Sequence, residues 1–135
     1  MIGLDSNVLV RLLTNDDRSQ AAAALALMSR DPHEPLVISA LVLAEVAWVL
    51  RRRYAYDRKE IGSALAYLIR IERLFIFERE AVVQAVFRFT DELSHADFAD
   101  YLIQALNAAA GADTTFTFDA DAALEHGFAP VPVLA

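Results

Sequence analysis

Short, unbroken apolar runs set between long helical stretches limit most what this chain can become. Leu36-Val37-Ile38 and Leu74-Phe75-Ile76-Phe77 are such runs, Ile2-Gly3-Leu4 opens the chain, and Thr115-Phe116-Thr117-Phe118 comes late. Residues 131–133 are a candidate fifth strand. Only the Thr/Phe run alternates, so the others read as strands of a parallel sheet covered on both faces. Helical patterning fills residues 6–13, 19–29, 40–54, 80–93 and 97–110, with a last short helix at 120–126. Asp57 with Glu60 three residues on is a capping box, opening another helix that runs to about residue 73. The order β-α-α-β-α-α-β-α-α-β-α predicts a layered α/β/α fold with ligands at the carboxyl ends of the strands.

Composition narrows the classes further. At 135 residues the chain has room for one domain, and 56% hydrophobic residues with a mean hydropathy of +0.33 are ample for a core. The absence of cysteine excludes disulfides, thiolate nucleophiles and Cys-ligated zinc, and suits a reducing cytosol. A formal charge of −7 argues against a binder with a basic surface all round. The opening M-I-G-L-D-S-N has no basic lead-in and meets Asp5 at once, so it does not read as a signal peptide. The apolar stretch 36–50 is too short to span a bilayer and carries Glu45. The expectation is a cytoplasmic protein with no membrane contact.

Several acids stand where apolar patterning does not want them. Asp5 and Asp119 each end a strand and precede a helix, where an acid serves equally as an N-cap. Asp121 reads more as a cap than as a site residue. Glu45 has Leu41, Val42, Trp48 and Val49 as its helical neighbours, which predicts a buried carboxylate in need of a partner. An arginine elsewhere in the fold would satisfy it too. Asp97 and Asp100 share one face at the start of a helix; dipole compensation explains Asp97 better than Asp100, which leads into Leu102 and Ile103. Glu125 and the remaining acids lie near bases, caps or polar loops. His33, His95 and His126 are scattered, and read as loop or cap residues.

In a doubly wound sheet these acid positions converge on one crevice. Four carboxylates about 7 Å apart would repel by roughly 14 kcal/mol in total at an effective dielectric of ~20. Either protons or divalent cations relieve that. All-oxygen donors point to Mg²⁺ or Mn²⁺ rather than zinc. Such a site orients and deprotonates a water and stabilises charge on a phosphodiester in flight. The hydroxyls of Ser6, Ser39 and Thr117 are candidates to hold metal-bound water. No G-x-S-x-G, P-loop or G-x-G-x-x-G is present.

The opening M-I-G-L-D-S-N-V-L-V-R-L-L, then I-S-A-L-V-L-A-E-V-A-W-V-L, A-D-F-A-D-Y-L-I and T-F-T-F-D together resemble a PIN-domain ribonuclease, more narrowly the VapC toxin of a bacterial toxin–antitoxin pair. The resemblance covers nearly the whole chain as a single PIN-like domain, residues 1–135. It implies a three-layer α/β/α sandwich with a central parallel sheet of four to five strands, usually a homodimer. It implies Mg²⁺- or Mn²⁺-dependent endonucleolytic cleavage of RNA to 5′-phosphate and 3′-hydroxyl ends. The family's acids fall on Asp5, Glu45, Asp100 and Asp119, with Asp97 as an acidic companion and Asn7 and Thr117 as polar neighbours. Ser6 stands where a threonine is usual, and Gln104 is a mild departure from the usual alanines. On this reading Asp5 and Asp100 hold the main ion, Glu45 and Asp119 complete the site, and a bound water attacks phosphorus in line. The resemblance also implies an antitoxin lying across apolar helices and inserting an arginine among the acids, with Trp48, Leu50 and Tyr54 as candidates for its groove, or for core and dimer packing.

Seven of the 12 bases, Arg51, Arg52, Arg53, Arg58, Lys59, Arg70 and Arg73, fall within 23 residues. They read as a local phosphate-binding face, with Arg51, Arg52 and Arg53 as candidate RNA contacts, or as a solvated hairpin pairing with its own acids. Two other classes stay open. A phospho-receiver domain needs a lysine by the acids, and the sole lysine, Lys59, lies in a capped surface helix. A catalytically silent PIN-like scaffold would bind a partner and cut nothing.

Overall fold

A computed structural model describes residues 1–134. The chain forms two compact units, Met1–Arg79 and Glu80–Ala135, of which the second is described to residue 134. In the first unit, β1 (Ile2–Gly3), β2 (Leu36–Ile38) and β3 (Leu74–Ile76) form a parallel sheet in that order. Ile2 pairs with Leu36, and Leu36 with Leu74. Parallel neighbours need long crossovers, and helix pairs supply them. Helices α1 (Ser6–Thr14) and α2 (Arg18–Ser29) join β1 to β2; α3 (Ala40–Tyr54) and α4 (Arg58–Leu68) join β2 to β3. The helix starts are where the polar residues predict. Asp17 caps α2 through Gln20 N–H (2.9 Å), Ser39 caps α3 through Val42 N–H (3.3 Å), and Asp57 with Glu60 forms the expected box. Ser39 thus serves as a cap, which leaves its own hydroxyl proton free to donate.

Helix α4 ends at Leu68 rather than near residue 73. The amides of Arg70 and Ile71 donate to the carbonyls of Tyr67 and Leu68, three residues back, and the tightened chain turns into β3. Arg73 explains the need. Its guanidinium donates to four carbonyls of the α2–β2 connection, those of Met28, Arg30 (2.7 Å), Asp31 (2.8 Å) and Glu34 (2.9 Å). This staple sits directly before the β2–β3 register. Arg73 thus leaves the expected phosphate-binding face. The core of this unit is Leu9, Ile38, Leu43, Leu50, Leu65 and their neighbours. Leu36 and Ile38 are buried, whereas Phe75 between buried Leu74 and Ile76 is exposed.

In the second unit, α5 (Arg79–Thr90, entered from the first) and α6 (Phe98–Ala109) precede a parallel pair, β4 (Thr115–Thr117) and β5 (Phe128–Pro130). Phe89 and Phe98 meet edge to face at 5.9 Å beside buried Val82, Val86 and Leu102. The helix expected at 120–126 is one 3₁₀ turn, Ala122–Leu124. The expected strand at 131–133 lies three residues earlier. Thr115 N–H donates to Gly127 O and Val131 N–H to Thr117 O, so the three residues of β4 are matched before Pro132 is reached. Gly127 has φ +86, and a Cβ there would collide with the side chain of Gln104, so the bend into β5 requires glycine. The Thr/Phe alternation of β4 marks no core face, because Phe116 and Phe118 are both exposed. No helix among the described residues is long and apolar enough to cross a membrane.

Candidate active site

Asp5 leaves β1 and caps α1, accepting the Ser6 N–H at 2.7 Å. The cap reading and the site reading of Asp5 therefore coexist, since capping occupies one carboxylate oxygen. Ser6 is buried, and its hydroxyl donates to Glu45 Oε1 across from α3. Asp5 Oδ1 lies 3.4 Å from that hydroxyl, whose one proton is already committed to Glu45. The carboxyl edge of β1 and the second turn of α3 thus share one polar contact.

Glu45 is exposed, contrary to the expectation of a buried carboxylate. The buried stripe of α3 is Leu43, Val46, Ala47 and Leu50. Leu41 and Trp48, the apolar neighbours behind that expectation, are themselves 74% and 56% exposed. Helical spacing correctly put them on one face with Glu45, but that face looks outward. Leu50 belongs to the core and cannot line a groove.

A cleft of about 440 Å³ opens here, lined among others by Asp5, Ser6, Glu45, Trp48, Arg53 and Tyr54. Asn7 borders it too. Arg51, Arg52 and Arg53 close the last turn of α3; Arg52 lies over the Trp48 ring at 5.8 Å and Arg53 lines the cleft. The opposite wall escaped the sequence reading. Arg11 donates to Gln20 (2.6 Å), Asp16 (2.9 Å) and the Tyr54 hydroxyl (3.0 Å), and that hydroxyl donates to Asp16 at 2.6 Å. Burial pulls the Arg11 pKa down, but Asp16 and Tyr54 outweigh it and leave it raised. Arg11 lies four residues after Asn7, one helical turn on, which is the signal that could have found it.

The second unit carries the other acids. Asp97 caps α6, and its N–H donates to Asp100 Oδ2 at 3.1 Å. Burial pushes the Asp100 carboxyl above its ordinary range; the Asp97 N–H opposes this, and the charges of Asp97 and Asp119 add to it. Asp119 accepts the N–H groups of Asp121 (2.9 Å) and Ala122 (3.0 Å), so it is Asp119 rather than Asp121 that caps the 3₁₀ turn. Thr117 accepts the Asp119 N–H at 3.0 Å and fixes the acid's backbone.

Glu125 is more than a loop acid. It accepts the hydroxyl of fully buried Tyr101 (2.6 Å) and the His95 N–H (2.9 Å), and Arg88 stands 3.7 Å away. Arg88 also covers the Tyr101 ring at 4.7 Å and donates to Gln104. This network anchors α6 and the segment leading to Asp97.

The five acids thus fall into two groups: Asp5 with Glu45 in the first unit, and Asp97, Asp100 and Asp119 in the second. Among the described residues no three His, Cys, Asp or Glu side chains are placed to hold one metal ion.

Parallel strands joined through helices, with acids at the strand ends, define an α/β class that binds its ligands at the carboxyl ends of the strands. The PIN domain family profile matches residues 2–126, and the chain belongs to that family. PIN domains are generally nucleases and typically bind a divalent metal. No curated protein matches the chain.

Proposed function

We propose that this chain is a Mg²⁺- or Mn²⁺-dependent endoribonuclease and the toxin of a toxin–antitoxin pair, acting in the cytoplasm as a homodimer of one-domain subunits. The observation that carries the nuclease reading is the Asp5–Ser6–Glu45 contact at the end of β1, inside a cleft with arginine at its far side. The family match runs across the division at Arg79, which supports treating both units as one domain.

The donor set is all oxygen, which suits a hard cation. Asp5 and Asp100 would hold it, with Glu45, Asp119 and Asp97 completing its surroundings directly or through water. The metal, when bound, supplies an activated water and screens charge on the phosphodiester. The chain's own residues do the rest. Ser6 orients Glu45 by donating to it, and Thr117 fixes the backbone of Asp119. Asp100, raised by burial and by its acidic neighbours, favours any cation that lowers the local negative charge. Arg51, Arg52 and Arg53 face the phosphates of the strand. For the antitoxin, exposed Leu41 and Trp48 offer apolar surface beside the acids.

The test is RNA cleavage with magnesium by the parent chain, Asp5→Asn and Asp100→Asn, with mapping of 5′-phosphate ends. Each variant is expected to lose cleavage by two orders of magnitude or more. Undiminished cleavage in either ends the assignment. The alternative is a PIN-like scaffold without chemistry. A scaffold binds metal weakly in titration and cuts nothing.

A further inference from the structure

We infer that the first-unit cleft seats one nucleotide of a single-stranded nucleic acid, with Trp48 as the platform for the base and Arg53 as the contact for its phosphate. The inference takes its substrate class from the nuclease reading, but it concerns binding and not cleavage. Trp48 lies one helical turn beyond Glu45 and borders the same cleft, with more than half of its surface in solvent. The guanidinium of Arg52 already covers the ring at 5.8 Å, so the indole is held as one layer of a stack. A base face is the ligand chemistry that such a layer extends. Arg53 follows on the same wall and has no ion-pair partner among the described residues. Arg11 faces the cleft from the other side, although Asp16 and Tyr54 hold much of it.

Charge is arranged along the cleft accordingly. Asp5 and Glu45 occupy the β1 end, where a phosphate is repelled unless a cation intervenes. The arginines occupy the end of α3, where a phosphate is welcome without one. A nucleotide lying between them has its base on Trp48 and its phosphate on Arg53. A duplex cannot present a base face to an indole, so the cleft selects unpaired strands.

Trp48 is the chain's only tryptophan, and its fluorescence reports the stack directly. The experiment titrates the full chain in EDTA with a fluorescein-labelled ten-nucleotide oligouridylate and with a labelled duplex of equal length, reading tryptophan quenching in the parent chain and the anisotropy of the label in the parent and every variant. Single strands are expected to quench and the duplex not to. Trp48→Ala weakens binding roughly 10-fold while Trp48→Phe keeps most of it. Arg53→Glu weakens it by a similar factor and flattens its salt dependence by about one unit of slope. No quenching, equal quenching by duplex, or fluorescence that follows protein concentration alone overturns the inference; the last makes Trp48 a self-association contact. Parent chain that quenches without cleaving in magnesium sinks the nuclease reading and leaves the subsite. Cleavage without quenching sinks the subsite alone.

Discussion

Replacing Tyr101 with Phe removes one oxygen from the second unit's interior and tests how α6 is anchored. The side chain is fully buried, and its hydroxyl donates to Glu125 at 2.6 Å. A hydrogen bond to a charged acceptor contributes about 1.5–3 kcal/mol, and Glu125 retains the His95 N–H and Arg88 after the change. The expected loss is therefore about 2 kcal/mol at pH 7, which for a chain of this size lowers Tm by roughly 6–10 °C. The pH dependence sharpens the test. Burial pushes the Glu125 carboxyl up, but the Tyr101 hydroxyl, the amides of His95 and Ala96 and the charge of Arg88 outweigh it and hold the pKa below the ordinary value. A depressed carboxylate contributes stability above its unfolded pKa, about 4.3, and loses it as pH falls through the folded value. The gap between parent and Tyr101→Phe, followed by urea denaturation with circular dichroism, should be full at pH 7 and shrink below pH 4. A gap under 0.5 kcal/mol at neutral pH, or one that widens in acid, refutes the anchoring argument.

Other substitutions probe separate links. Arg73→Met strips four carbonyls of their donor and should cost about 2–4 kcal/mol in denaturation, whereas Arg70→Met, at an exposed position, should cost under 0.5 kcal/mol. Ala55 ends α3 at φ +54, so Ala55→Gly should stabilise by about 0.5–1 kcal/mol; a measured loss would show that the left-handed cap is not strained. The raised pKa of Asp100 makes its ionised form costlier in the folded chain, a penalty absent below the unfolded pKa of about 3.9 and complete once pH exceeds the folded value. Asp100→Asn should therefore raise Tm at pH 7 and not at pH 3, while abolishing cleavage. A lower Tm at pH 7 would contradict the crowding described for that acid.

Local chemistry alone settled much of this protein. Three strands joined by helix pairs, the capping box at Asp57 and the ends of α3 were legible because apolar spacing and polar caps act within a few residues of themselves. The acids at the strand ends were legible for the same reason, as Asp5 and Asp119 interrupt apolar runs at points where the chain must turn. What tertiary structure decided was direction and partnership. Spacing put Glu45 between Leu41 and Trp48, yet which side of α3 meets the core depends on the sheet and on α1 and α4, and the outward side carries all three. Arg73 reads as one more surface base until the carbonyls of a loop some forty residues earlier are brought against it. Glu125 looks like a loop acid until Tyr101, 24 residues away, delivers its hydroxyl. Periodicity carries no information on which face finds a neighbour, because burial and hydrogen bonding are properties of the pair and only one member lies in the window being read.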